Sequence, residues 1–160
     1  MQSGRVQIYT DGSALNNPGP GGWAFCYNWA DSQLSLGLKS TGKHKECHVT
    51  QERDVIVRGG EIQTTNNRME LQAVIESLKW VKDVPVVINS DSQLTIRCAE
   101  GIWKRKANVD LWAEYDIVSR GRDISFVWVK AHSGIKYNEV VDKAARDEAY
   151  RQKDKCTIVA

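Results

Sequence analysis

Three acidic side chains occupy comparable places in the predicted elements of this 160-residue chain. Asp11 closes a short predicted strand, Asp91 closes another, and Glu70 lies in the first turn of a predicted helix. Each also has an ordinary structural explanation, as a turn residue, a helix N-cap and a partner of the helix dipole, respectively. If the two strands are parallel neighbours, Asp11 and Asp91 lie side by side at their carboxyl ends, where open α/β sheets place their sites.

The last predicted helix supplies two further candidates. Asp142 follows Asn138 and Glu139 at the start of that helix, and His132 precedes it in a Ser/Gly loop. An acid near a helix start usually serves the helix dipole, and a lone loop histidine is usually a surface residue. Neither residue therefore decides the question alone.

The chemistry that such acids could perform is that of hard cations. Clustered carboxylates with no paired histidine or cysteine favour Mg²⁺ or Mn²⁺ over structural zinc. Four carboxylates can hold two such ions about 4 Å apart, one activating a water and the other stabilising the leaving oxygen of a phosphodiester. Without cations, grouped acids repel one another and cost stability, so the grouping makes physical sense only with cations bound.

Five stretches that would position these residues have the composition of strands. The first two are joined by a short Asn/Pro/Gly turn, which predicts an antiparallel pair. The third is expected at a sheet edge with a glycine bulge, and the nearly all-apolar fourth is typical of a buried parallel strand. The predicted strands are residues 6–10, 22–29, 54–62, 84–89 and 123–129.

Four stretches repeat apolar residues at helical spacing, with the last helix capped by Asn138. They are residues 69–81, 94–98, 109–118 and 139–151. Because the strands come first and then alternate with helices, we predict an α/β fold with a five-stranded mixed sheet, an antiparallel meander and helices on both faces. We expect a single domain over residues 1–151 and a polar tail over residues 152–160.

Composition excludes little beyond this. The chain is 41% hydrophobic and 26% charged, and its net charge of +2 is too small to name a partner. Four cysteines are scattered without a Cys-x-x-Cys pair, which fits a reducing compartment better than a disulfide framework. No apolar run approaches a membrane span and no signal peptide is evident, so we expect a cytoplasmic protein, without a membrane partner, that acts as a monomer.

Five short segments of the chain contain or flank these candidate residues. In chain order they are Tyr9-Thr10-Asp11-Gly12-Ser13, Thr65-Asn66-Asn67-Arg68-Met69-Glu70-Leu71, Ser90-Asp91-Ser92-Gln93, Val129-Lys130-Ala131-His132-Ser133-Gly134 and Asn138-Glu139-Val140-Val141-Asp142. In this order they resemble ribonuclease H of the bacterial type-one kind, and the resemblance runs from about Arg5 to Tyr150. It implies a ribonuclease-H-like fold, with Asp11, Glu70, Asp91 and Asp142 as metal-binding carboxylates. His132 is implied as a mobile histidine that assists proton transfer or product departure.

The resemblance also implies an RNA–DNA hybrid as the substrate. The positions matching residues that contact the minor groove and the RNA 2′-hydroxyls are Asn17, Asn66, Asn67 and Gln93. Amide side chains both donate and accept hydrogen bonds, as a 2′-hydroxyl demands, and require no particular base. Their structural alternative is a role as turn and cap residues.

Two departures from the family pattern concern phosphate binding. The basic protrusion of many relatives is shortened here to residues 101–109, whereas the stretch between Trp29 and Asp54 is longer than usual and includes Lys39, Lys43 and Lys45. A weak alternation at residues 34–38 predicts a strand followed by a long hairpin excursion. We expect this insertion to replace part of the lost phosphate contact.

The expected function is endonucleolytic hydrolysis of the RNA strand of a hybrid, with two Mg²⁺ ions, or Mn²⁺, leaving 3′-hydroxyl and 5′-phosphate ends. Two alternatives stay open: a nuclease of the same fold that acts on DNA, and a non-catalytic module that binds hybrids. The amide set argues against the first. Retention of all four carboxylates and of His132 argues against the second, because acids near phosphates weaken simple binding.

Overall fold

The computed structural model describes residues 5–28 and 46–159, in which six strands form one sheet. In chain order the strands are β1 (Val6–Ala14), β2 (Gly19–Asn28), β3 (Glu46–Val49), β4 (Asp54–Thr64), β5 (Val86–Ser90) and β6 (Ile124–Trp128). Their order across the sheet is β3-β4-β2-β1-β5-β6. The first four pair antiparallel, and β5 and β6 continue the sheet in parallel to β1. This confirms the predicted meander with added parallel strands.

Four helices cover the two faces of the sheet in the described part of the chain. They are α1 (Asn66–Trp80), α2 (Gln93–Ala99), α3 (Val109–Ser119) and α4 (Lys136–Val159). Thr65 and Ser92 cap α1 and α2, since their side-chain oxygens accept hydrogen bonds from the N–H groups of Arg68 and Thr95. Apolar residues of α1 and α3 pack with β1, β2, β4 and β5 in the main core, and α4 packs on the opposite face.

The strand count and the edge assignment were wrong. The sheet has six strands rather than five, and β4 is internal because β3 pairs with its outer side. The ladder irregularity lies where Gly19 to Gly21 of β2 faces Glu61 to Thr64 of β4, and the extra residue is in β4. Gly59 and Gly60 themselves are in regular register. Gly60 serves another purpose, because a Cβ there would lie within 3 Å of Gln152 in α4.

The last helix is longer than predicted at both ends. It begins at Lys136, so Asn138 lies inside its first turn and is buried rather than acting as its cap. It continues to Val159, past the point where a polar tail was expected. Gln152 is 4% exposed and donates a hydrogen bond to buried Glu148, so the start of that stretch belongs to the packed face of the helix.

The predicted strand at residues 34–38 and most of the insertion lie outside the described residues. Among the helices that the structure describes, none is both long and apolar enough to cross a membrane.

Candidate active site

Asp11 lies within β1 rather than at its end. The strand continues to Ala14 because residues 11–14 remain paired with β2, Asp11 standing opposite Ala24. The parallel pairing with β5, however, stops at Tyr9 opposite Asn89. Asp11 therefore lies just beyond the parallel ladder, as the strand-end argument requires. Its side chain is almost fully buried, and one carboxylate oxygen accepts a hydrogen bond of 2.8 Å from the N–H of Gly12.

Glu70 reaches Asp11 because α1 crosses β1 at a glycine. A Cβ at Gly12 would lie 2.3 Å from the backbone nitrogen of Glu70 and from the carbonyl carbon of Met69. Only glycine lets the helix backbone come this close to the strand. Since α1 begins at Asn66, Glu70 lies in its second turn, one turn later than predicted.

Asp91 follows β5 directly, as predicted, and its backbone is held from the neighbouring strand. The indole N–H of Trp128 donates to the carbonyl oxygen of Asp91 at 3.2 Å, and the N–H of Val129 donates to the carbonyl oxygen of Ser90 at 2.9 Å. The end of β6 therefore positions the residue that carries the third carboxylate.

These three acids form one cluster. Asp11, Glu70 and Asp91 can each present a carboxylate oxygen such that the three atoms lie within 4.8 Å of one another. Burial raises the pKa of Asp11 to about 6, and the charges of Asp91 and Asp142 add to the rise. Burial and the charge of Asp11 raise the pKa of Glu70 well above its ordinary value. Burial and the charge of Asp142 raise the pKa of Asp91.

The cluster fits a hard divalent cation. Its donors are all carboxylate oxygens, the ligands that Mg²⁺ and Mn²⁺ prefer. The Oε2 atom of Glu70 is buried and has no hydrogen-bond partner within residues 5–28 and 46–159. A buried acceptor without a partner is costly, and a cation would satisfy it. Raised pKa values are expected when carboxylates lie close together with no cation between them, because each negative charge makes ionisation of the others less favourable.

Asp142 lies near this cluster but outside it. It projects from α4, and its charge reaches both Asp11 and Asp91. Its own carboxylate is paired with Arg146 one helical turn later, with 3.3 Å between Asp142 Oδ2 and Arg146 Nη2. The i,i+4 spacing of the two residues could have revealed this pair from the sequence.

His132 lies in the exposed loop between β6 and α4. Its φ is 55°, in the left-handed region, and the next residue closes the turn through a hydrogen bond from Ser133 Oγ to the carbonyl oxygen of Lys130. The electrostatic effect of His132 opposes the rise in the pKa of Asp91. The loop therefore brings His132 within electrostatic range of the acidic cluster.

The four amide residues are all exposed, and two of them hold the local structure together. The Oδ1 atom of Asn17 accepts a hydrogen bond from the N–H of Asn66, and the Oδ1 atom of Asn66 accepts one from the N–H of Ala14. These bonds join the β1–β2 turn to the start of α1. Asn67 is the second residue of α1, and Gln93 is the first of α2, two residues after Asp91.

Two residues beside the site were missed by the sequence analysis. The close packing of Gly12 against α1 could not be predicted, since no local sequence pattern shows which helix crosses the strand. Trp128 was assigned only to the last strand, and its hydrogen bond to Asp91 depends on the pairing of β5 with β6.

Comparisons with known proteins agree with this geometry. The profile of the family described as RNase H matches residues 3–150. A protein from Campylobacter jejuni named Ribonuclease H is 40% identical over 155 residues, covering 91% of this chain and 92% of the relative.

Solved structures show the same fold. The N-terminal RNase H domain of a Mycobacterium tuberculosis protein, fused to maltose-binding protein, has a TM-score of 0.73 at 22% identity, covering 96% of this chain and 99% of that one. The structure of LC11-RNase H1 in complex with an RNA/DNA hybrid has a TM-score of 0.62 at 23% identity, covering 89% of this chain and 98% of that one.

Proposed function

Because the chain belongs to the ribonuclease H family, whose members are metal-dependent enzymes, we propose that it is an endonuclease that hydrolyses the RNA strand of RNA–DNA hybrids. The products are a 3′-hydroxyl and a 5′-phosphate. The observation that carries the proposal is the cluster of Asp11, Glu70 and Asp91, whose carboxylate oxygens lie within 4.8 Å of one another.

The four carboxylates would hold the metal. Asp11, Glu70 and Asp91 form the common centre, and Asp142 supplies a further ligand from α4. Mg²⁺ is the proposed ion, two per site during catalysis, with Mn²⁺ as a substitute. When bound, such ions supply an activated water and stabilise charge on the leaving oxygen. The rigid placement of Asp11 by β1 and of Glu70 by α1 keeps these ligands ready for the ions.

Hybrid recognition is assigned to the exposed amide residues Asn17, Asn66, Asn67 and Gln93. The carboxamide oxygens of Asn17 and Asn66 already accept protein hydrogen bonds, so their NH₂ groups are left to donate to the substrate. Amide donors suit the 2′-hydroxyl oxygens and the minor-groove acceptors that every base pair offers. Binding through these groups therefore depends on the RNA strand rather than on base sequence.

His132 is proposed to move a proton or to help the product leave. Its exposed loop leaves the imidazole free to approach the cluster, and an imidazole ring can both accept and donate a proton. The carboxylates of Asp11 and Glu70, by contrast, are buried and are held in place by β1 and α1.

The test is a cleavage assay with an end-labelled RNA–DNA hybrid and Mg²⁺ or Mn²⁺, beside RNA and DNA duplexes. We expect cleavage of the hybrid alone, within the RNA strand. Asp11→Asn and Asp91→Asn should each lower the rate by at least about a hundredfold with the fold intact, since each removes a charged ligand. Asp83→Asn, which changes an exposed acid in the loop before β5, is the matched control and should keep full activity.

Three outcomes would contradict the proposal. Cleavage of the DNA duplex would favour a nuclease of the same fold that acts on DNA. Hybrid binding without cleavage would favour a binding module. Substantial activity in Asp11→Asn would remove Asp11 from the site.

A further inference from the structure

Within residues 5–28 and 46–159, Arg146 is the cationic residue that forms an ion pair with a proposed metal ligand. Its guanidinium pairs with Asp142 across one turn of α4, with 3.3 Å between Nη2 and Oδ2. Asp142 is also the one proposed ligand that lies outside the compact cluster of Asp11, Glu70 and Asp91. These two facts concern the same carboxylate, and the second can follow from the first.

The helix itself is fixed, so only the side chain of Asp142 is adjustable. Val141 and Ala145 are fully buried against Ala24 and Cys26 of β2. Asp142 follows Val141, and Arg146 follows Ala145 one turn later. Both side chains are partly exposed to solvent. The carboxylate can therefore exchange partners by rotation of its side chain while the backbone of α4 stays in place.

We propose that Arg146 is a positioning residue that competes with the divalent cation for the carboxylate of Asp142. This inference rests on the proposed function. A carboxylate paired with a guanidinium has to share or release that partner before it binds a cation. Arg146 thereby weakens the binding of the ion that depends on Asp142, while it leaves the centre formed by the other three acids unchanged.

The same helix provides a matched control. Lys143 and Asp147 form a second i,i+4 pair, with 2.6 Å between Lys143 Nζ and Asp147 Oδ2, and both side chains are exposed. Neither belongs to the proposed site. Lys143→Met removes one positive charge and one helical ion pair, as Arg146→Met does, so the comparison separates the contact with Asp142 from a general change in charge.

The experiment is a Mn²⁺ titration of the full chain, followed by electron paramagnetic resonance of the free ion, without nucleic acid. Arg146→Met should tighten the weaker Mn²⁺ site about two- to fivefold, the range that loss of an exposed ion pair provides. Arg146→Lys, which keeps the pair, should stay nearer the wild type. Lys143→Met should leave both sites unchanged, and Arg146→Met should have no effect in an Asp142→Asn background.

Unchanged or weaker Mn²⁺ binding in Arg146→Met would overturn the inference, as would equal tightening in Arg146→Met and Lys143→Met. In either case the wild type would still bind Mn²⁺ and cleave hybrid, so the proposed function would stand. A wild type that binds no Mn²⁺ would overturn the metal site and the inference together.

The Mg²⁺ concentration for half-maximal hybrid cleavage should fall in Arg146→Met and not in Lys143→Met.

Discussion

Burial of Asp11 makes its ionisation costly when no cation is bound. Its pKa is raised to about 6 from an ordinary value of 3.8. The folded chain therefore holds this proton more tightly than the unfolded chain does. The resulting stability is fully present below the unfolded pKa, near pH 4, and is lost as the pH rises through about 6. Above that pH, the free carboxylate favours the unfolded state.

Asp11→Asn should consequently stabilise the metal-free protein while it abolishes cleavage. At about pH 8 in EDTA, we expect the free energy of unfolding to rise by about 1–3 kcal/mol, because the amide needs no ionisation. The gain should shrink as the pH falls from about 6 towards 4, and urea denaturation at several pH values measures it. Asp83→Asn should show no such gain, and a loss of stability for Asp11→Asn at pH 8 would contradict the prediction.

The grouping of three acidic residues was predictable, but contacts made between separate elements were not. Asp11, Glu70 and Asp91 follow from strand and helix positions, and the structure places them together. The pairing of Asp142 with Arg146 was visible as a helical spacing, but nothing in the spacing shows that it competes with a metal. The contact of Trp128 with Asp91 joins two strands, so no local pattern contains it.

At the scale of elements, the crossing of α1 over β1 brings the first two carboxylates together. Gly12→Ala would place a Cβ 2.3 Å from the backbone of α1, where only a shift of the helix relieves the clash. We expect the free energy of unfolding to fall by about 1–3 kcal/mol, the usual cost of overpacking. Because the shift also moves Glu70, we expect Mn²⁺ affinity and hybrid cleavage to fall by at least about tenfold.

Gly121→Ala is the control for this variant. Its φ is +71° and a Cβ there meets nothing within 4 Å, so it tests backbone strain without a clash. It should lower stability by about 1–2 kcal/mol and leave cleavage unchanged at temperatures where the protein is folded. Wild-type metal affinity in Gly12→Ala would show that the approach of α1 does not position Glu70.

Elements with a buried face were predictable, and those without one were not. The periodicity of α1 and the apolar run of β5 reflect burial against the sheet. All four residues of β3 are exposed, so no alternation marks that strand, and β4 was taken for the edge. The extension of α4 beyond Arg151 was missed because most of its residues are polar. Its first residue, Gln152, is nevertheless buried against the fold.

At the scale of the whole molecule, the distribution of basic residues bears on how the proposed substrate would be held. The short segment 101–109 retains three consecutive cations, but Arg105 is used internally. Its guanidinium pairs with Asp116 at 2.8 Å and lies over the ring of Trp112 at 4.3 Å. Lys104 and Lys106 remain exposed. Arg105 is thus engaged within the fold, whereas Lys104 and Lys106 are open to the proposed phosphate contact. The insertion expected to add to them holds Lys39, Lys43 and Lys45 in sequence, outside the described residues.

The salt dependence of hybrid binding tests whether the insertion supplies that contact. Lys43→Ala with Lys45→Ala should lower the slope of log K against log salt by about 1–2, since each lost phosphate contact contributes about 0.7–0.9. Fluorescence anisotropy with a labelled hybrid, in an Asp11→Asn background that cannot cleave it, measures the slope. The control pair is Lys82→Ala with Arg120→Ala. It removes the same charge from the loops that precede β5 and β6, whereas Asp91 lies after the end of β5. Equal slopes for the two double variants would refute a role of these lysines, because loss of net charge alone would then explain both.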